Sequence, residues 1–142
     1  MTPYATKKPD FEEIEHTADW ALRIRGRDLN HLLLNAARGM SSLLVGDLAG
    51  IPLTHQERIE LDTYDAESLL VNWLSELAYW AEAESIVFAR FELQNVTPTG
   101  LQAVVHGGHV ADLKKHIKAV TYHNLEIIET DKGLEVTVVF DV

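Results

Sequence analysis

Residues 20–46 read WALRIRGRDLNHLLLNAARGMSSLLVG, and the spacing of apolar residues changes within this stretch. In its first part, Trp20, Leu22 and Ile24 alternate with Arg23 and Arg25. A period of two places the apolar side chains on one face of a strand and the arginines on the other. The stretch therefore begins with a strand that has one buried face.

A helix should follow this strand, because both of its ends are marked. The side chain of Asp28 can accept a hydrogen bond from a free backbone N–H group of a first helical turn. Gly46 is a typical residue just beyond a helix C-terminus. The apolar residues between them recur at helical spacing and predict one buried face: Leu29, Leu32, Leu33, Ala36, Ala37, Met40, Leu43 and Leu44.

The same order, strand and then capped helix, occurs a second time. Residues 50–52 predict a loop, residues 57–61 alternate apolar with charged side chains, and Asp65 is a good N-cap for the next helix. Trp73 and Trp80 are interpreted as core residues and not as a ligand platform. They share the apolar face of this helix, which comprises Leu69, Leu70, Trp73, Leu74, Leu77 and Trp80. Glu67, Glu76, Glu82 and Glu84 can be solvated.

From residue 86 onward the pattern is almost entirely strand-like. A hairpin is predicted around Pro98–Gly100, further strands near residues 118–122 and 125–129, and a last strand over residues 134–140. Residues 11–15 predict a short first strand, and Gly107–Gly108 a turn. This order of elements predicts an α+β fold: a mostly antiparallel β-sheet with two amphipathic α-helices packed on it, in a single two-layer domain.

Length and composition fit one domain. We expect a flexible N-terminal arm over residues 1–10 and one domain over residues 11–142, with 46% hydrophobic residues to build a core. No stretch approaches the roughly 18 apolar residues of a membrane span, so the protein should be soluble and cytoplasmic. The absence of cysteine excludes disulfides, thiolate catalysis and cysteine-ligated zinc.

The charge balance argues against direct nucleic-acid binding. The chain has 22 acidic and 12 basic residues, a net charge of −10, which is the wrong sign for a surface that holds phosphates. A locally basic segment at residues 114–118 is interpreted as solvated turn charges. An acidic body is instead suited to a basic protein partner.

One acidic cluster is suggested by the ends of two strands. If the strand after Asp19 pairs with the last strand, then Asp19, Asp141 and the terminal carboxylate of Val142 come together. Oxygen donors of this kind suit Ca²⁺, Mg²⁺ or Mn²⁺. The alternative is that Asp19 is a turn or capping residue and Asp141 a solvated one.

Motifs for autonomous catalysis are lacking. Gly107–Gly108 is not part of a phosphate-binding glycine loop, and no serine stands in a Gly-x-Ser-x-Gly elbow. The spacing of four histidines does not match a helical zinc motif, and they are interpreted as surface or turn residues: His106, His109, His116 and His123.

Three separated segments resemble the archease family: residues 11–19 (FEEIEHTAD), residues 118–123 (KAVTYH) and residues 139–142 (VFDV). The resemblance spans nearly the whole chain and implies a small acidic α+β protein. It implies an activator, not an enzyme, that assists the GTP-dependent tRNA-splicing RNA ligase. Archeases promote guanylylation of that ligase's active-site histidine and so allow multiple turnover.

The resemblance also implies roles for individual residues. Asp19, Asp141 and Val142 are the expected metal ligands, with calcium as the expected ion and magnesium or manganese as alternatives. Lys118 matches the family's functional lysine, and His16 belongs to the same motif as Asp19. Val142 and Val120 stand where the family usually has Ile. Other classes stay open: a chaperone-like modulator of RNA-processing enzymes such as a tRNA methyltransferase, or a metal-dependent hydrolase.

Overall fold

The computed structural model describes residues 8–14 and 20–142. Two α-helices and eight strands follow one another along this part of the chain, with a short 3-10 turn at Leu48–Gly50. The elements are β1 (Phe11–Ile14), β2 (Trp20–Gly26), α1 (Leu29–Val45), β3 (His55–Asp62), α2 (Ala66–Glu84), β4 (Ile86–Thr97), β5 (Gly100–His109), β6 (Ala119–Val120), β7 (Ile128–Thr130) and β8 (Gly133–Asp141). The predicted α+β class is confirmed. Of the predicted N-terminal arm, residues 1–7 lie outside the described residues.

The strands form two antiparallel sheets. Five strands make the first, in the order β1-β2-β8-β6 with β7 also paired to β8, and three make the second, in the order β3-β5-β4. Helix α1 packs against β2 of the first sheet and β4 of the second, and α2 packs against β4 and β6. The helices therefore share one core with both sheets. Within the described residues, no helix combines the length and apolarity needed to cross a membrane.

Both predicted helix starts are confirmed by their caps. Asp28 Oδ1 accepts a hydrogen bond from the backbone N–H of His31 at 2.9 Å, and Asp65 Oδ1 accepts one from Ser68 at 2.8 Å. The hydrogen bonds from Ser68 lower the pKa of the Asp65 carboxyl group. At the other end of α1, Gly46 has a φ of 86° and donates its N–H to Ser42 O at 2.7 Å. A positive φ of this kind favours glycine at the end of a helix.

The interpretation of Trp73 as a core residue is confirmed. Its side chain is fully buried, and its indole N–H donates to Leu33 O in α1 at 2.9 Å. The ring of Phe91 packs edge-on against it. Because a buried indole N–H needs a partner, this bond fixes the position of α2 against α1. Trp80 is only half-buried and packs against His55.

The predicted turn at Gly107–Gly108 is wrong, because both glycines lie inside β5. A Cβ atom added to Gly107 would overlap Val87 O in the neighbouring strand, and one added to Gly108 would overlap Pro52 O. The register between β4 and β5 shifts after Phe88. Gly107 therefore allows close approach of β4, and Gly108 close approach of the segment that precedes β3, which is the other common role of glycine besides turns.

The predicted strand near residues 125–129 is shifted along the chain. Only Ile128–Thr130 form β7, and the segment before it is held by α2, because Glu67 Oε2 accepts a hydrogen bond from the backbone N–H of Ile127 at 3.0 Å. Glu67 is half-buried there, whereas Glu76, Glu82 and Glu84 are exposed. The predicted strand at residues 118–122 is reduced to the two residues of β6.

Candidate functional site

Two of the three segments quoted above meet at one end of the five-stranded sheet. Strand β8 lies between β2 and β6, so that Phe140 pairs with Trp20 on one side and with Val120 on the other. Asp141 is the partner of Ala119. The antiparallel pairing places the end of β8 beside the starts of both neighbours, and this part of the sheet is named the β8 end.

Residues 118–121 hold the last strand in place. The backbone N–H of Lys118 donates to Asp141 O at 2.8 Å. Thr121 donates twice to Val139 O, from its backbone N–H at 3.0 Å and from its hydroxyl at 2.9 Å. Lys118 and Asp141 are therefore neighbours, although both side chains remain exposed. The arrangement therefore holds a lysine and an aspartate, both exposed, at the same end of the sheet through their backbones.

The loop leading to Lys118 is anchored on α1. The backbone N–H of Lys114 donates to Leu44 O in the last turn of that helix at 2.7 Å. The ammonium group of Lys114 lies over Gly46, where an added Cβ would approach Nζ to 2.6 Å. A cation at a helix C-terminus interacts favourably with the carbonyl groups that have no helical partner. Ile117 is buried, which fixes the loop from its other side.

Lys115 joins the same loop to the first residue of β2. Its Nζ lies 3.8 Å from the centroid of the Trp20 ring and 3.4 Å from Glu13 Oε2. The interpretation of this lysine as a solvated turn charge is wrong: it makes a cation–π contact and is only 25% exposed. Because Trp20 directly follows Asp19 in the sequence, Lys115 restrains the chain next to a predicted ligand.

Of the predicted site residues, the structure brings Asp141, Val142 and Lys118 together at the β8 end. Asp19 and His16 lie outside the described residues. In residues 8–14 and 20–142, no three His, Cys, Asp or Glu side chains are grouped closely enough to hold an ion. The exposed carboxylate of Asp141 is an oxygen donor of the kind a hard cation prefers. The described residues thus supply part of the predicted donor set.

Comparison with known proteins identifies the family of this chain. A model of the archease protein family matches residues 11–142. The chain belongs to the archease family. It is 36% identical over 140 residues to the archease of Methanosarcina barkeri, covering 93% of this chain and 95% of that protein. It is 30% identical over 139 residues to that of Methanothermobacter thermautotrophicus, covering 92% and 97%.

Solved structures support the same archease fold. The solution structure of Protein 1598 from Methanobacterium thermoautotrophicum superposes with a TM-score of 0.79 at 28% identity, covering 94% of this chain and 99% of that one. The crystal structure of an archease from Thermotoga maritima, described as a possible chaperone, gives a TM-score of 0.64 at 24% identity, covering 96% and 98%. The second likeness bears on the fold alone.

Two of the four histidines considered in the sequence analysis pair with carboxylates in this archease. His106 lies 2.5 Å from Glu92 and His116 3.2 Å from Glu82. The pKa of Glu92 is lowered mainly by the hydrogen bond with His106; burial opposes this shift, and the charge of Arg90 makes a smaller contribution that lowers the pKa. His106 is a half-buried residue of β5, His109 is exposed at the end of that strand, and His123 is exposed in a turn.

Two residues that make contacts at or beside the β8 end were not singled out from the sequence. Thr121 donates two hydrogen bonds to Val139 O. It lies inside the family segment 118–123, so the resemblance could have pointed to it. Lys115 reaches Trp20 across the fold. A lysine in a basic run carries no local sign of such a contact.

Proposed function

We propose that this chain is a protein cofactor of the GTP-dependent tRNA-splicing RNA ligase and not itself an enzyme. It would promote guanylylation of the ligase's active-site histidine and so sustain multiple turnover in the cytoplasm. Family membership supports this proposal. The observation that carries it is the pairing of residues 118–121 with residues 139–141, because it joins two family segments into one exposed end of the sheet.

The residues at the β8 end suit contact with a nucleotide site. Asp19, Asp141 and the carboxylate of Val142 would hold a divalent cation, calcium most readily and magnesium or manganese as alternatives. Neutralising charge on phosphoryl oxygens is the chemistry that such an ion supplies. The exposed ammonium group of Lys118, beside Asp141, would contact a phosphate or carboxylate of the partner.

Overall charge supports a protein partner. At −10, the molecule repels nucleic acid and attracts a basic surface, such as the RNA-binding face expected on a ligase. The ligase would therefore be contacted as a protein, with its RNA held elsewhere.

The test is multiple-turnover RNA ligation by the ligase of the same organism, with this protein absent, wild type or substituted. Asp141→Asn, Lys118→Met and Asp19→Ala should each reduce both product formation and the ligase–GMP adduct by about 10-fold or more, as the loss of a ligand-site group commonly does. The matched control is Asp131→Asn. It makes the same change at an exposed aspartate beside the opposite end of β8, and activation should stay at the wild-type level.

If wild-type protein leaves ligation and adduct formation unchanged, the ligase assignment fails. A chaperone-like modulator of other RNA-processing enzymes, such as a tRNA methyltransferase, is then the second candidate, because the same acidic surface would suit a basic client protein. Stabilisation of a client enzyme by that route should survive Asp141→Asn. Turnover of a substrate by the purified protein alone would instead indicate a metal-dependent hydrolase.

A further inference from the structure

Strand β3 forms a long, regular edge of the three-stranded sheet. It has eight residues, and in the described part of the chain it pairs with β5 on one side and with no strand on the other. Its pairing with β5 runs from His55 to Asp62 without the register shifts that interrupt the pairing of β4. Sheet edges are commonly protected by bulges, by proline or by charge. Strand β3 has no bulge and no proline, and its charges are of both signs.

The backbone groups on the open side of β3 belong to four residues. The N–H of Thr63 donates to Thr99 O, which continues the pairing of β3 with β5 by one residue. Because backbone groups alternate in direction along a strand, the odd-numbered residues of β3 bond to β5 and the even-numbered ones point to the open side. The even-numbered residues are Gln56, Arg58, Glu60 and Asp62. We name them the β3 edge.

The side chains of the β3 edge lie on the outer face of the sheet, and all four are exposed. The side chains between them are buried or half-buried: His55, Glu57, Ile59 and Leu61. Arg58 and Glu60 are neighbours on the outer face, and neither has an ion-pair partner among the described residues. Open backbone groups and unpaired charges of both signs therefore coincide on one strand.

The charges of the β3 edge are complementary to themselves. When two copies of β3 are paired antiparallel about Ile59, Arg58 of one copy faces Glu60 of the other, and the two-fold axis repeats this pair. In the same register Gln56 faces Asp62, whose side chains can share a hydrogen bond. Moving the register by two residues places Arg58 opposite Arg58 or Glu60 opposite Glu60, which is destabilising. Charge therefore favours the register centred on Ile59 over its neighbours.

The backbone agrees with this register. Facing residues whose N–H and C=O groups both point toward the other strand form a hydrogen-bonded pair and exchange two hydrogen bonds. Arg58 and Glu60 are such residues, and so are Gln56 and Asp62. Every facing pair of the β3 edge would thus be hydrogen-bonded, while Ile59 would lie on the axis in a pair without hydrogen bonds.

We propose that the β3 edge binds a second copy of this chain, forming a symmetric dimer in which the two three-stranded sheets join into one continuous sheet. The β8 end belongs to the other sheet, so the inference does not rest on the proposed function. Two strands that meet edge to edge bury less area than a standard interface, and the two copies repel each other through their net charge of −10. We therefore expect a weak dimer, with a dissociation constant in the micromolar range.

The first experiment measures mass by sedimentation equilibrium at rising protein concentration. Wild type should approach twice the mass of one chain, which is 15.9 kDa. Arg58→Glu brings like charges together in both pairs and should weaken dimerisation by about 10-fold or more. Glu60→Arg should weaken it equally, although this change reduces the net negative charge, so that general repulsion between the copies cannot be the cause.

The matched control is Arg38→Glu, the same change of charge at an exposed position of α1, which should dimerise within about twofold of wild type. Circular dichroism checks that each variant is folded. A wild-type protein that stays monomeric up to about 1 mM would overturn the inference. So would a dimer that Arg58→Glu and Arg38→Glu weaken equally.

A mixture of the two β3 variants tests the register. Arg58→Glu or Glu60→Arg alone brings like charges together, whereas an equimolar mixture brings opposite charges together in both pairs. The mixture should therefore form heterodimers about as tight as the wild-type dimer. The chain that carries both substitutions should also regain self-association. A folded mixture that remains monomeric would exclude the proposed register.

Amide hydrogen exchange followed by NMR reads the two sides of β3 separately. The amides of Arg58 and Glu60 should exchange more slowly as the protein concentration rises, because the second copy covers them. The amides of Glu57 and Ile59 should be protected at every concentration, since they bond to β5. Exchange at Arg58 and Glu60 that does not depend on concentration would contradict the dimer. Neither experiment involves the ligase, so the dimer and the proposed function can fail separately.

Discussion

Two single side chains other than the predicted site residues shape the β8 end. Lys115 packs its ammonium group on Trp20, and Thr121 donates twice to Val139. Both contacts act beside residues that the family segments contribute. A chain segment that is already restrained loses less conformational entropy when it binds a ligand or partner. We therefore expect these two contacts to favour binding at the β8 end without touching the ligand themselves.

The Lys115 contact can be measured by substitution. Lys115→Met keeps an apolar stem but removes the charge, and should lower the free energy of unfolding by about 0.5–2 kcal/mol, the range of a cation–π contact. Chemical denaturation is the measurement.

Glu13→Gln is the control, because it removes only the partly exposed ion pair and should cost less than about 0.5 kcal/mol. A Glu13→Gln effect as large as that of Lys115→Met would show that the ion pair, and not the Trp20 ring, provides the stabilisation.

At the scale of elements, β5 connects the second sheet. It pairs with β3 on one side and β4 on the other, and it contains Gly107 where the backbone of β4 approaches closely. A side chain at this point has no space, since the nearest atoms are backbone atoms of Val87 and Phe88, which cannot rotate away. The glycine is therefore required by packing and not by a positive φ.

Gly107→Ala should accordingly destabilise the protein by about 1–3 kcal/mol or more, the usual cost of overpacking. Thermal and urea unfolding measure it.

Gly50→Ala is the matched control, because nothing lies within 4 Å of a Cβ added there, and its unfolding midpoint should stay near that of wild type. A Gly107→Ala variant as stable as Gly50→Ala would mean that β4 and β5 can separate without cost at this point.

At the scale of the whole molecule, the net charge of −10 governs association with a basic partner. Electrostatic steering acts on the encounter and is screened by salt, while contacts formed after docking are screened less. Raising the ionic strength from about 0.05 M to about 0.5 M should therefore slow association with the ligase about 10-fold and change dissociation little. Stopped-flow mixing measures both rates.

A variant with Glu76→Gln and Glu84→Gln tests the source of the steering, since it removes two exposed charges from α2. Its association rate should depend less steeply on salt than that of wild type. An association rate insensitive to salt in both proteins would contradict steering by the acidic body.

The sequence by itself determined the local features of this protein. Asp28 and Asp65 cap the starts of their helices, and Gly46 caps the end of α1, each through a hydrogen bond to a residue three or four positions away. The alternation in residues 20–25 assigns a buried face to β2. Such interactions are encoded within one turn or strand, so pattern and chemistry suffice to predict them. The family segments likewise named Asp141 and Lys118, whose roles stay predictions, as do those of Asp19 and His16.

Only the tertiary structure decided the rest, because it depends on residues far apart in the chain. The division of the strands into two sheets, the place of Gly107 inside β5, and the bond from Ile127 to Glu67, 60 residues away, follow from packing and not from local pattern. Which partner a residue meets is set by the closure of the whole core, and no short window of sequence contains that information.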